Sequence, residues 1–315
     1  MKKLLAITLA LVLCLSVFAG CKPADADKPV LKIALSPDFS PMEFVDPSKN
    51  GQDKFVGFDV SLSKYIAQEL GMTLEIMPMD FDACQAAVAS GKVDMSVSGF
   101  SWTADREAKY NLSDYYYAGE NETEQVLIVL AENAGKYTDA ESLKGMKVGA
   151  QGASLQEELV ETQLPDCELV VYTDINTGLL QLKKGDFDAM AVAIGNANAL
   201  IASNPEVAMS GFQFVVDEKM ANNLILLQKG NDELTEKVNA ILAKAEAAGL
   251  YETWYEEALN TAGVDVSYDA EGNPIVETTG AEEETTAAID ETTTPIDDTT
   301  AAADAETTEA TDATE

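Results

Sequence analysis

Along the chain, apolar residues switch repeatedly between every second position and every third or fourth. Val30, Leu31, Ile33 and Leu35 read as a strand that enters the loop SPDFSPMEF. Over 59–70, Leu62, Tyr65, Ile66 and Leu70 recur at helical spacing, and Gly71 stops the run. Leu74 and Ile76 alternate with polar neighbours as a strand, and 82–90 reads as a second helix stopped by Gly91. Val93, Met95 and Val97 then alternate with Asp94, Ser96 and Ser98, a strand that leads into SGFSWTADR. Strands alternating with helices predict a mostly parallel sheet built from βαβ units.

The same grammar returns downstream. LKGMKVGAQGASLQEEL reads as strand, glycine turn and helix, LVVYTD as a strand, TGLLQLKKG as a helix ending at Gly185, and FDAMAVA as a strand. The pieces SGKVDMSV and KGDFDAMAV match as a helix-ending Gly, an apolar-Asp step and a strand, so two lobes solve one topological problem twice. The uninterrupted apolar runs EQVLIVL (124–130) and NNLILLQKG (222–230) are where the chain would cross out and back. The pattern therefore predicts an α/β protein with lobe 1 over 30–122 plus 220–262 and lobe 2 over 123–219, joined by a two-strand hinge. An amphipathic helix over 232–248, closed by Gly249, and a short helix at YETWYEEAL complete the folded part.

Both ends read differently. Lys2 and Lys3, an apolar run from Leu4 to Phe18 and the small pair Ala19-Gly20 predict a signal peptide over 1–20. Cys21 follows directly, as in the lipobox of bacterial lipoproteins, although Phe18 stands where an aliphatic residue is usual. The expected mature form carries lipid on Cys21, a tether over 21–29 and an anchor on the extracytoplasmic face of the cell membrane. From 268 to 315 the chain is rich in Thr, Ala, Asp and Glu, with no Lys or Arg, and too poor in large apolar residues to collapse. It is expected to be a disordered tail.

Composition narrows the chemistry. The chain has 20 Lys plus Arg against 55 Asp plus Glu, a net charge of −35 that excludes nucleic acid as a partner. No histidine is present, which removes Ser-His-Asp and Cys-His catalysis and the commonest zinc ligand. Cys84 and Cys167, left after Cys14 and Cys21 are assigned to the export segment, read as free thiols. No metal or cofactor is expected, and nothing demands more than a monomer.

Ligands of open α/β sheets bind at the carboxyl edges of the strands. Four loops fall there: SPDFSPMEF, MDFDACQ, SGFSWTADR and AQGASLQ. Each can be read as packing or turn chemistry alone: Phe39 and Phe81 as core aromatics, Ser98 and Ser101 as turn residues, Arg106 as half of a surface ion pair. Together they suggest a site. Arg106 beside a helix start at Thr103 would form an anion socket, and a planar guanidinium suits a carboxylate held by two hydrogen bonds. GASLQ offers a second helix start through the N–H groups of Ala153 and Ser154 and the Ser154 hydroxyl, without the Lys of a P-loop. The inferred ligand is a small carboxylate gripped from both lobes, with Phe39 and Phe81 against its body.

The stretches DFSPMEF, VGFDVSLSKYIAQELG, SGKVDMSVSGFSWTADR, LSDYYYAG, LKGMKVGAQGAS and ELTEKVNAILAKAEAAGLYETWYEE resemble the polar amino acid-binding family of ABC-transporter substrate-binding proteins. That resemblance implies a periplasmic-binding-protein fold that closes on an amino acid and delivers it to a membrane permease. It implies that Phe39 and Phe81 sandwich the ligand side chain, that Ser98, Gly99 and Ser101 bind its backbone groups, and that Arg106 binds the α-carboxylate with Ser154 closing from lobe 2. Two positions depart from the family. Ala193 stands where an Asp usually takes the α-ammonium, with Asn196 the nearest substitute, and Ser36 replaces the acid carried by binders of basic amino acids. The expected ligand is therefore a polar or neutral amino acid. Two alternatives stay open: a dehydratase-like enzyme using Glu43, Asp80 or Glu157, and a sensor or scavenger lipoprotein that works without a permease.

Overall fold

A computed structural model describes residues 28–117, 124–263, 266–268 and 274–276. The expected signal peptide, Cys21, most of the expected tether and the expected tail beyond 276 lie outside the described residues, as do residues 118–123.

The first sheet has the order β5-β1-β6-β13-β7, with β1 Val30–Leu35, β5 Thr73–Pro78, β6 Met95–Ser101, β7 Tyr110–Leu112 and β13 Asn223–Gln228. β1 pairs parallel with β5 and β6, whereas β13 pairs antiparallel with β6 and β7. The second sheet repeats the plan as β10-β9-β11-β8-β12, from β8 Gln125–Leu130, β9 Lys147–Gln151, β10 Glu168–Tyr172, β11 Ala189–Ala193 and β12 Val207–Gln213. Here β9 pairs parallel with β10 and β11, and β8 pairs antiparallel with β11 and β12. Each sheet thus has four strands running one way and one, β13 or β8, running against them in the fourth place. The antiparallel strands arise at the crossings: β8 follows the first lobe into the second, and β13 returns from the second to the first. A small third sheet of β2 Asp38–Phe39, β3 Glu43–Val45 and β4 Phe55–Val56 sits between β1 and the first helix.

Helices cover both sheets, and glycine ends several of them. α1 Phe58–Glu69 and α2 Phe81–Ala89 are each followed by a glycine in the left-handed region, Gly71 at φ 68° and Gly91 at φ 68°. α3 Ala104–Lys109 starts at Thr103 and α4 Leu155–Gln163 at Ser154, each capped by that residue's side-chain oxygen. α5 Ile175–Lys184, α6 Ile194–Ser203, α7 Asp232–Ala247 and α8 Leu250–Ala262 complete the set. The pattern analysis passed over α6 and β12; α6 is short, small-residue-rich and carries no strong apolar stripe. A ribbon pairs Val266–Tyr268 with Pro274–Val276, so the tail expected to be disordered from 268 begins with strand structure: Ile275 and Val276 give its first residues the apolar, β-branched character that the rest largely lacks.

The first lobe's largest core packs Leu31, Ile33, Phe58, Leu62, Ile66 and Met95 beneath α7 and α8, and the second lobe has cores on both faces of its sheet. Cys84 is buried, Cys167 is half-buried, and both are free thiols. Among the described residues no helix is long and apolar enough to cross a membrane.

Gly57 fixes the entry to α1. Its φ is 118°, and a Cβ built there would lie 2.3 Å from the Met42 carbonyl oxygen. Gly57→Ala is therefore expected to destabilise the protein by about 3 kcal/mol or more. Chemical denaturation measures this directly, and an unchanged midpoint would show that the loop before α1 relaxes freely.

Candidate functional site

A narrow cavity lies where the two sheets present the carboxyl ends of their parallel strands. The first lobe lines it with Asp38, Phe39, Phe81, Ser98, Gly99, Ser101 and Arg106. The second contributes Gln151, Ser154, Leu155, Gln156, Tyr172, Ile175 and Ala191 to Ala193, while Gln125 and Asn223 enter from the starts of β8 and β13.

Arg106 is the cation of this cavity and is 3% exposed. Its Nη1 donates to the Ser101 carbonyl at 2.7 Å and its Nη2 to the Ala153 carbonyl, from the second lobe, at 2.8 Å. Nε reaches Gln85 Oε1 at 3.5 Å, a marginal bond. The guanidinium carbon lies 5.2 Å from the centre of the Phe100 ring and 5.6 Å from that of Phe81, and these rings stack on each other at 4.7 Å. Burial lowers the Arg106 pKa to about 10, with Glu158 opposing, so the group stays charged at neutral pH. A guanidinium has five N–H donors. With three engaged, two remain for a ligand carboxylate.

The helix tips are arranged differently from the sequence expectation. Thr103 Oγ1 accepts from the Arg106 backbone N–H at 3.2 Å, and Thr103 does not line the cavity. The α3 tip caps itself, and only the Arg106 side chain faces inward. Ala153 also lies outside the lining: its N–H donates to Glu157 Oε2 at 2.6 Å, and its carbonyl faces Arg106. Glu157 reaches back to satisfy the helix start it belongs to, which takes that amide away from any ligand. Ser154 does line the cavity, although its hydroxyl accepts from the Glu157 N–H at 3.2 Å. Leu155 and Gln156 in the first turn of α4 are the groups that bring the positive helix end to the site.

Phe39, Phe81, Ser98, Gly99, Ser101 and Ala193 all reach the cavity. Gly99 takes φ 56°, and a Cβ there would meet the Phe39 ring at 2.7 Å, so the missing side chain lets that ring lie on the backbone. Ser36 is one layer behind: its N–H donates to Ser98 Oγ at 3.0 Å and its hydroxyl to Asp38 Oδ1 at 2.6 Å. Asn196 is buried outside the cavity and donates to the Ser40 carbonyl at 3.3 Å. It therefore cannot stand in for the acid missing at Ala193. Glu43, Asp80 and Glu157 do not line the cavity either, so none of the acids considered for the enzyme alternative is placed there.

Asp38 is the site residue that the strand-and-loop pattern did not single out. Its Oδ2 accepts from the Ile175 N–H at 2.7 Å, at the start of α5, and from Gln151 Nε2 at 3.2 Å. A first-lobe carboxylate is thereby docked on a second-lobe helix N-terminus. Burial raises its pKa, and the Ser36 and Ile175 hydrogen bonds partly offset that. Gln85 Nε2 to the Ala153 carbonyl at 3.1 Å is a further bond between lobes. These bonds define the structure as a closed form.

Two α/β lobes closed over a polar cavity that holds one buried arginine define a solute-binding protein. The family profile of bacterial extracellular solute-binding proteins, family 3, matches residues 31–261, and this chain belongs to that family. The arginine-binding extracellular protein ArtP of Bacillus subtilis is 32% identical over 247 residues, covering 77% of this chain and 90% of ArtP. The histidine-binding periplasmic protein of Escherichia coli is 28% identical over 267 residues, covering 80% of this chain and 95% of that protein. Among solved structures, the amino acid ABC transporter substrate-binding protein AbpA from Streptococcus pneumoniae, bound to L-arginine, superposes with a TM-score of 0.67 at 32% identity, covering 74% of this chain and 95% of AbpA. An ancestral arginine-binding protein bound to glutamine gives a TM-score of 0.65 at 31% identity, covering 73% and 97%. These relatives are binding proteins, and this chain is a binder rather than an enzyme.

Removing the Asp38 carboxylate should favour the open form. Asp38→Ala is expected to increase the radius of gyration in X-ray scattering and to weaken ligand binding about tenfold or more, since two hydrogen bonds to a charged acceptor are lost. A variant as compact as the wild type would show that other contacts hold the lobes.

Proposed function

We propose that this chain is the ligand-capturing component of an ABC importer, closing on a polar amino acid and presenting it to a membrane permease. The observation that carries this reading is the buried Arg106 guanidinium, which faces the interlobe cavity with two donors to spare. In the bound state those donors take the α-carboxylate in the bidentate manner that suits a planar fork. The first turn of α4 and Ser154 approach the same group from the second lobe as the lobes close. Phe39 and Phe81 flank the ligand body, and Ser98, Gly99 and Ser101 supply the polar contacts to its backbone end.

Side-chain preference rests on what surrounds Phe39. Ser36 carries no charge, which favours polar or neutral amino acids; Asp38, two positions on, returns a carboxylate to the cavity wall and makes a cationic side chain acceptable. The relatives named for arginine and histidine, and the one solved with glutamine, fall within that range. The protein acts as a monomer held to the extracytoplasmic face by lipid on Cys21.

A thermal-shift screen over the amino acids identifies the ligand, because any selective ligand raises the melting temperature by mass action. With that ligand, Arg106→Ala is expected to abolish binding in calorimetry, and Arg106→Lys to retain a weak remnant, since a point charge replaces the fork. Wild-type affinity in both variants would remove the site from this cavity. Separately, metabolic labelling with palmitate is expected to mark the wild type and not Cys21→Ala; equal labelling would refute the anchor.

A further inference from the structure

Behind the cavity wall lies a pair of carboxyl groups that ligand capture as described above does not use. Glu43 in β3 and Asp59 in the first turn of α1 both have zero exposure. Glu43 Oε1 accepts from the Ser98 hydroxyl at 2.5 Å. Asp59 Oδ2 accepts from the Gly99 N–H at 2.8 Å and from the Tyr116 hydroxyl at 2.9 Å. The two other oxygens, Glu43 Oε2 and Asp59 Oδ1, are buried without any N–H or O–H donor among the described residues. Each carboxyl is near enough to act on the other's ionisation, and two carboxylates buried side by side without a cation cannot both stay ionised, so the pair holds a proton. That proton leaves the pair with one negative charge.

The surroundings give that charge no cation of its own. Asp38 from β2, Tyr116 and Cys84 from α2 are the titratable groups that act on the pair, and each is neutral or negative. Burial, with the Asp59 charge next, holds Glu43 well above its ordinary range, and burial lifts Asp59 to about 7. Both residues touching the pair from the front, Ser98 and Gly99, line the cavity. Ser98 Oγ gives its proton to Glu43 and receives the Ser36 N–H, which leaves one acceptor position on that oxygen. On the opposite wall Ala193 presents only a methyl group, and the Asp38 carboxylate is occupied by Ser36, Gln151 and Ile175.

We propose that Glu43 and Asp59 are positioning residues for the ligand's ammonium, the pair holding one proton and one negative charge behind Ser98 and Gly99 and fixing the Ser98 hydroxyl as an acceptor toward the cavity. The proposal rests on the amino-acid reading above. It places the counter-charge that Ala193 cannot supply one layer behind the first lobe's wall, at a site the ligand does not touch. Binding is then linked to protons. A cation in front of the pair favours its singly charged form, so the second proton that the pair takes up below about pH 7 must leave to solvent when ligand binds. Affinity is full above that pH and falls as pH drops through it.

The test is calorimetric titration of the wild-type protein with L-arginine and with L-glutamine between about pH 5.5 and pH 8, in buffers of different ionisation heat. The expected result is proton release at the acid end, none at the alkaline end, and affinity falling by up to about tenfold per pH unit below neutrality. The double variant Glu43→Gln with Asp59→Asn has no charge left. It should bind at least about tenfold more weakly and exchange no protons. Should it fail to fold by circular dichroism, the wild-type proton count decides alone. Wild-type binding without proton exchange would overturn the proposal, and so would a folded double variant that still releases protons, since the source would then be Asp38. Failure of every amino acid to bind the wild type would overturn the amino-acid reading as well, an outcome distinct from binding without protons.

Discussion

A guanidinium stripped of water must have its donors met by oxygen atoms, and where Arg106 finds them organises the rest of this molecule. One partner is the Ser101 carbonyl at the end of β6; the other is the Ala153 carbonyl across the cleft. Ala153 takes a left-handed backbone with φ 59°, part of the sharp turn between β9 and α4 that turns its carbonyl outward while its N–H caps with Glu157. The stacked rings of Phe81 and Phe100 close off the side away from the ligand. Every neutral acceptor is then in place, and what the group still lacks is an anion. On the proposed reading that deficit is what a ligand carboxylate fills, and it arises from burial more than from any long-range field. The net charge of −35 works in the opposite direction, repelling anions at a distance.

The same economy governs closure. Phe39 is the one cavity residue that packs against apolar clusters of both lobes. Ala199 of α6 also packs into the first lobe's core, and polar contacts join the lobes elsewhere: Arg106 and Gln85 on the Ala153 carbonyl, Asp38 on Ile175 and Gln151, and Asn196 on the Ser40 carbonyl. Each such bond contributes about 0.5–1.5 kcal/mol net, because water serves the same groups when the lobes part. A seam of this kind closes firmly only when something fills the space behind it. A ligand that contacts both walls supplies the few kcal/mol needed to shift the balance, whereas a broad hydrophobic seal would hold the lobes shut with or without ligand.

Much of this was legible in the chain. Glycine after an apolar stripe marked the ends of α1, α2, α5 and α7, and the repeated apolar-Asp step marked β6 and β11 as equivalent strands. Arg106 stood out because a cation at the third position of a helix opposes both capping and dipole, so its side chain had to be employed elsewhere. Contacts between the lobes were not legible. Periodicity says which face of an element is buried, but not which residue of a distant loop it meets. Asp38, Gln125 and Asn223 therefore carry no mark in the sequence pattern, and only the fold brings them to the cavity. Asn196 was favoured for proximity along the chain to Ala193, yet the first turn of α6 carries it beneath the wall to Ser40. The Ala153 amide looks free in the sequence, but Glu157, four residues later, takes it.

The distribution of charge between the walls carries a further consequence. Arg106 and Asp38, the charged groups lining the cavity, and the Glu43–Asp59 pair behind it all belong to the first lobe. The second lobe lines the same space with amides, hydroxyls, methyl groups and the start of α4, and with no ionised side chain. Charge–charge attraction reaches farther than hydrogen bonding, so a zwitterion arriving in the open form meets nearly all of its directing field from one wall. It can settle there with its carboxylate on Arg106 and its ammonium against Ser98 before the other wall arrives. The approaching lobe then adds short-range contacts whose strength depends on fit. An acid at position 193 would divide the charged groups between the lobes and make head-group binding depend on closure. With the methyl group found there, the proposed function separates the two events: charge selects the ligand class in the open state, and shape decides which member of that class lets the lobes close.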